Sequence, residues 1–100
     1  MTPYIYLFIR EDLSIPQQII QTAHAVDSLS INRESDNVNH MVLIGIENEE
    51  ELKNISKYLQ IWDIEHKMFY EPDITSHTAI ATNPLRGKER NRLKKFNLMK

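Results

Sequence analysis

The chain has 100 residues, 41% of them apolar and 26% charged, with a formal net charge of −2 and no cysteine. A length of this order makes one domain, residues 1–100, with a modest core. The lack of cysteine removes disulfide staples, thiolate nucleophiles and zinc–thiolate sites, and no stretch approaches the roughly 20 apolar residues that span a bilayer.

Residues 4–10 form a near-continuous apolar run that ends in Arg10. Such a run predicts a strand buried on both faces, at the centre of a sheet. Ser14 then reads as a helix cap, with Pro16 in the first turn and Gln17 at the capping-box position. Two stripes run along the helix. Ile15, Ile19, Ala23 and Val26, with Ile20 and Leu29 beside them, form an apolar face expected to be buried. Gln17, Gln21, His24 and Ser28 recur at spacings of four, three and four, so they share a second face. A strand that turns into such a helix brings amide and titratable groups to the sheet's carboxyl end, where open α/β sheets place their sites.

Residues 30–39 are polar and aperiodic, and read as an exposed loop. Residues 40–46 predict a second apolar strand. Asn48 caps a helix that opens on Glu49, Glu50 and Glu51 and carries Lys53 and Lys57 later, in line with the helix dipole. Its expected buried edge is Leu52, Ile55 and Leu59, and Trp62 reads as core or helix-end packing, or, if exposed, as a ring that could stack on a base. Strands are expected at 64–70 and 77–82, separated by the polar cluster from Glu71 to Ser76. A last, basic helix is expected from Asn83 and Pro84. The order β-α-β-α-β-β-α implies crossovers between parallel strands. The predicted fold is therefore α/β, with helices covering a mixed four-stranded sheet in three α-β-α layers.

Charge is unevenly spread. Residues 85–100 hold seven basic residues and one acid, for +6, while residues 1–84 hold five basic and thirteen acidic residues, for −8. A basic end on an acidic body points to a polyanion. The plainer reading is a solvated helix. The four histidines, at 24, 40, 66 and 77, form no H-x-x-x-H pair, so no metal site and no cofactor are expected. The opening Met1-Thr2-Pro3-Tyr4 has no basic n-region, so no signal peptide is expected.

Taken in order, these residues resemble the type 2 peptidyl-tRNA hydrolases. That family opens with a strand followed by Arg-x-Asp-Leu, matched by Arg10-Glu11-Asp12-Leu13. Its first helix carries Ala-Ala-Gln-x-x-His-Ala, where this chain has Ile19-Ile20-Gln21-Thr22-Ala23-His24-Ala25. Its late motif starts with an acid, here Glu71, and ends in a segment matched by Thr78-Ala79-Ile80-Ala81-Thr82-Asn83-Pro84. The family's Met-Gly-Lys-x-Lys cluster is missing: Ser14-Ile15-Pro16-Gln17 stands there, and no lysine lies in residues 1–39. The late loop is also shortened, as in a divergent bacterial or phage-like branch.

The resemblance implies a cytoplasmic hydrolase that cleaves the ester of peptidyl-tRNA or a related acylated tRNA. It would act in the host cytoplasm if phage-encoded. His24, Glu71 and Asp73 are the candidate bases, and Gln21 and Thr78 the candidate donors or water holders. Arg10, Gln17, Arg86, Lys88, Arg90 and Arg92 are the candidate substrate contacts, with tRNA as the partner. No G-x-S-x-G elbow and no cysteine are present, so no acyl-enzyme is expected. Each residue has a plainer role too: His24 as a satisfied helix histidine, Glu71 and Asp73 as turn residues, Thr78 as a strand start, Gln17 as a cap. His66 and His77 are assigned no role. The lost lysines favour a binding module for tRNA, another polyanion or a protein; a phage-type inhibitor or adaptor is a third reading. A homodimer through helix faces fits the first two.

Overall fold

The computed structural model describes residues 3–29 and 40–96. The expected loop at 30–39 and the last four residues of the basic segment lie outside the described residues. Four strands, β1 (Tyr4–Arg10), β2 (His40–Ile46), β3 (His66–Glu71) and β4 (Ser76–Thr82), form one mixed sheet in the order β2-β1-β4-β3. β2 runs parallel to β1, while β4 is antiparallel to both β1 and β3. The apolar run of residues 4–10 is a central strand, as its sequence predicts, and all five residues between Tyr4 and Arg10 are buried. Among the described residues no helix is long and apolar enough to cross a membrane.

The two faces of β1 feed two cores. Ile5, Leu7 and Ile9 pack with Ala79, Ala81, Ala25 and Leu29 under helix α1 (Ile15–Asp27). Tyr6 and Phe8 pack on the other side with Ile80, Leu52, Ile55 and Leu59 of helix α2 (Glu49–Ile61). Helix α2 has its expected cap and buried edge: the Asn48 side chain accepts from the Glu51 N–H at 3.0 Å. Ser14 likewise accepts from the Gln17 N–H.

Helix α1 presents a different face from the one its apolar spacing suggests. The buried positions are Gln18, Gln21 and Ala25, while Ile15 and Ile19 are each 66% exposed. Ile20 is exposed as well. The amides turn inward because they find polar partners beneath the helix. Gln18 donates to the carbonyls of Leu13 at 2.8 Å and Glu11 at 3.4 Å. Those carbonyls gain a donor that an isoleucine side chain could not supply.

Other boundaries also differ. Asp63 takes a left-handed φ of 58° and Ile64 donates back to Leu59. The third strand therefore starts at His66 rather than at residue 64. Among the described residues no α-helix follows Pro84. Leu85 is held extended by two 2.8 Å hydrogen bonds with Tyr4, and Gly87 has a φ of 54°. A 3-10 helix, Gly87–Leu93, follows. Its threefold spacing puts Arg90, Leu93 and Phe96 on one side, where Leu93 is buried and Phe96 meets Phe8 edge-on at 5.5 Å.

Thr75 closes the turn between a short 3-10 helix (Pro72–Ile74) and β4 at φ 48° and ψ 44°. A β-branched residue resists that conformation, whereas asparagine adopts it readily. Thr75→Asn is expected to stabilise the chain by about 1 kcal/mol, a rise of roughly 4–8 °C in melting temperature for a domain of this size. A thermal melt checks this, and an unchanged or lower midpoint would show the turn to be unstrained.

Candidate functional site

The carboxyl end of β1 gathers polar side chains from four separate stretches of chain. On the α1 side, the Gln21 amide is the hub. Its Nε2 donates to a Glu71 carboxylate oxygen at 3.1 Å and to Gln17 Oε1 at 3.1 Å. Its Oε1 accepts from the Thr78 hydroxyl at 2.9 Å. The other Glu71 oxygen accepts from the Asp73 backbone N–H at 3.2 Å. Gln21 is only 2% exposed and Thr78 is fully buried, whereas Glu71 is partly exposed. The polar helix face and the late acidic cluster, 50 residues apart in the chain, are thus one network.

Thr78 reaches Gln21 because β4 carries a bulge. Pairing runs from Phe69↔Ala79 directly to Tyr70↔His77, which leaves Thr78 as the extra residue. A bulge breaks the strict alternation of side chains and re-aims one of them. Without it, Thr78 would point to the α2 side, like Ile80. Gln17 takes part in the cap only by donating its backbone N–H to Ser14; its side chain belongs to the Gln21 network. His24 is exposed and lies flat on Phe69, with ring centroids 4.9 Å apart and planes 10° apart. Asp73 is exposed beside Glu71.

A second cluster occupies the same end of the sheet. Arg10 grips both oxygens of Asp12, at 2.9 and 2.8 Å, and donates to the Ser76 hydroxyl at 2.7 Å and the His77 carbonyl at 3.0 Å. The Arg10 guanidinium is thereby committed to internal partners. Glu49, at the start of α2, accepts from the His77 N–H at 2.7 Å, and its carboxylate lies 3.5 Å from His77 Nδ1. That ring nitrogen is buried without a hydrogen-bond partner. Asp12, Glu49 and Ser76 were not among the expected site residues. The signal for Asp12 was its position two residues after the strand-ending arginine; Glu49 showed only as one of three acids opening a helix, and Ser76 as the end of a polar cluster.

These contacts shift titrations. The Arg10 hydrogen bonds hold the Asp12 carboxyl below its ordinary range, and the same pairing raises Arg10. The His77 backbone N–H, ahead of the Lys53 charge, lowers Glu49. A carboxyl whose pKa is lower folded than unfolded stabilises the fold above the unfolded value. That contribution is lost as pH falls from there through the folded value. The double variant Asp12→Asn/Glu49→Gln is therefore expected to be less stable at pH 7 and to lose less stability below about pH 4. Urea denaturation at pH 7 and pH 3 checks this; parallel losses in both proteins would show that these carboxylates do not drive the acid limb.

The basic segment lies elsewhere. Leu85 is bridged to Tyr4 at the amino end of β1, and Arg90 donates to the Tyr6 hydroxyl on the α2 side. The seven residues of β1 place Arg10 about 20 Å away. Arg86 and Glu89 close the start of the 3-10 helix, Lys88 is exposed, and Arg92 lies 5.7 Å from the Trp62 ring centre. Trp62 stacks on Tyr58 and packs against the α2-side core.

No family model matches the chain, and no curated protein matches it. Among solved structures, a protein of unknown function from Agrobacterium tumefaciens strain C58 is similar, with a TM-score of 0.71 at 14% identity. The match covers 100% of this chain and 99% of that one. At that identity the likeness is one of fold.

Proposed function

We propose that the chain hydrolyses the ester of an acylated tRNA, as a short relative of the type 2 peptidyl-tRNA hydrolases acting in the cytoplasm. The observation that carries this reading is the Glu71–Gln21–Thr78 set. The three residues come from separate stretches, were selected through the resemblance, and are joined by hydrogen bonds through Gln21. The strand and helix order up to β4 is also the one that the resemblance implies.

In this reading Glu71 is the base. Gln21 and the Asp73 N–H hold its carboxylate in one orientation, and its partial exposure leaves room for a water. Glu71 takes the water's proton as the oxygen attacks the acyl carbonyl carbon. The ester bond to the ribose then breaks, and the ribose oxygen receives a proton from the Glu71 carboxyl or from His24. The products are a free acid and a tRNA. Both amide hydrogens of Gln21 and the hydroxyl of Thr78 are already spent inside the network, so these two residues are positioning groups.

The test is release of tRNA from acetyl-aminoacyl-tRNA by the wild-type chain and by His24→Ala. Turnover supports the reading, and its loss in the variant assigns the leaving-group proton to His24. A second reading, a binding module on the same fold, is favoured by one observation. The strand-ending cation at these clusters, Arg10, is engaged by Asp12, Ser76 and His77. Retention of tRNA without turnover would establish that reading.

A further inference from the structure

The end of the molecule opposite Glu71 carries a surface of different character. The 3-10 segment and the residues flanking it lie over β1 and β2 on the α2 side, from Tyr4 to Phe8. Beneath it is a cleft of about 260 Å³ lined by Tyr6, Val42, Ile44, Leu93 and Phe96, with Arg90 and Lys94 at its cationic side. Its floor is apolar and partly aromatic. Around it Lys88, Arg92, Lys94 and Lys95 are exposed. Among the described residues none of these cations is within ion-pair distance of a carboxylate. The segment's one acid, Glu89, is turned back onto the Arg86 backbone N–H.

The cations are also held in place. Arg90 sits 3.4 Å above the centre of the Tyr4 ring while donating to the Tyr6 hydroxyl. The Lys95 ammonium lies 4.9 Å from the Trp62 ring centre and 5.5 Å from those of Tyr58 and Phe96. The sequence alone shows a basic run with a single aromatic residue, Phe96. The fold adds the exposed Tyr58 and the partly exposed Trp62 from the end of α2, while Tyr4 and Tyr6 of β1 hold Arg90. Unpaired cations beside aromatic faces, around an apolar cleft, are what a single-stranded nucleic acid requires: phosphates meet the charges and an unstacked base finds a ring to lie on.

We propose that this face binds single-stranded nucleic acid, with one base against the partly exposed Phe96 and Trp62 rings at the mouth of the cleft and the flanking phosphates on Lys88, Arg92, Lys94 and Lys95. This goes beyond the hydrolase reading and rests on a surface on the α2 side of the sheet, whereas the Glu71–Gln21–Thr78 network lies on the α1 side. Duplex RNA offers the same phosphates but no free base. Anionic lipid offers the charge but no ring.

The test uses the full chain and a labelled eight-nucleotide oligouridylate, read by anisotropy and by quenching of Trp62, the chain's single tryptophan. Three or four phosphate contacts predict a slope of roughly −2 to −3 in log affinity against log salt. The triple variant Lys88→Gln/Arg92→Gln/Lys94→Gln, exposed side chains all, should weaken binding at least tenfold and flatten that slope, with an unchanged melting profile. Phe96→Leu, which keeps the charges, should weaken single-strand binding and leave residual duplex binding unaltered. The proposal is overturned by no binding in wild type, by equal affinity in the triple variant, by a preference for duplex, or by tighter binding to vesicles containing phosphatidylserine. RNA binding without ester hydrolysis would sink the hydrolase reading alone. Hydrolysis with an unaltered triple variant would sink this one alone.

Discussion

Glu71→Gln is expected to lower turnover of acetyl-aminoacyl-tRNA by about 100- to 10,000-fold, the range over which a positioned general base contributes. That is roughly 3–5 kcal/mol of barrier. The substitution is nearly isosteric. Its carbonyl oxygen can still accept one of the two hydrogen bonds that Glu71 receives, from Gln21 or from the Asp73 N–H. The side chain is partly exposed, so the remaining donor can reach water. The stability change should therefore stay within about 1 kcal/mol. The diagnostic is the contrast between the two effects. Single-turnover kinetics beside a urea denaturation curve measures both on one preparation. A fall of less than tenfold would remove Glu71 as the base and leave the exposed Asp73 or His24 to supply that role.

Gln21→Ala carries the largest expected effect on the fold. The side chain is 2% exposed and makes three hydrogen bonds, to Gln17, Glu71 and Thr78. Truncation leaves the Thr78 hydroxyl buried with no partner in the network and opens a void beneath α1. An orphaned buried donor costs about 1–3 kcal/mol, and the void adds to it. A loss of about 2–4 kcal/mol is expected, a large share of the stability of a domain this small. Turnover should fall as well, because Glu71 loses its lateral support. Gln21→Ala with Thr78→Val forms a double-mutant cycle. A coupling of about 1–2 kcal/mol is expected for groups in direct contact. Strict additivity would mean that the two side chains do not depend on one another.

Rescue separates positioning from folding in the same pair. Thr78→Ser keeps the hydroxyl that Gln21 accepts from, and should retain most of the activity that Thr78→Val loses. Both variants remove a methyl or a hydroxyl at a fully buried position. A purely structural role would therefore cost them similar amounts of activity.

The division between local and tertiary information is visible element by element. The central strand and the cap and buried edge of α2 were legible because each rests on neighbours within a few residues. A continuous apolar run, a capping side chain three residues before its target N–H, and apolar positions at helical spacing are all local patterns. The identity of Gln21, Glu71 and Thr78 as candidates was also legible, through the resemblance. Their contact was not, since Thr78 reaches Gln21 only through the bulge at the Phe69–Tyr70 register shift.

Helix α1 is the clearest case. Its sequence carries two competing stripes, and periodicity alone favours burying the isoleucines. The tertiary structure turns the amides inward because Glu11, Leu13, Glu71 and Thr78 wait beneath the helix with polar groups to satisfy. Those partners come from as far as 57 residues away. The same holds for Arg10, whose guanidinium meets Ser76, 66 residues on, and for the basic segment, whose two-bond bridge to Tyr4 sets it at the far end of the sheet. The sequence by itself determined the four strands and the first two helices, how those helices begin, and where the charge lies, but not the form of the basic segment after Pro84. Only the fold decided which side of α1 is buried, which polar groups pair and which cations stay free, because each of those outcomes depends on partners brought together by the sheet.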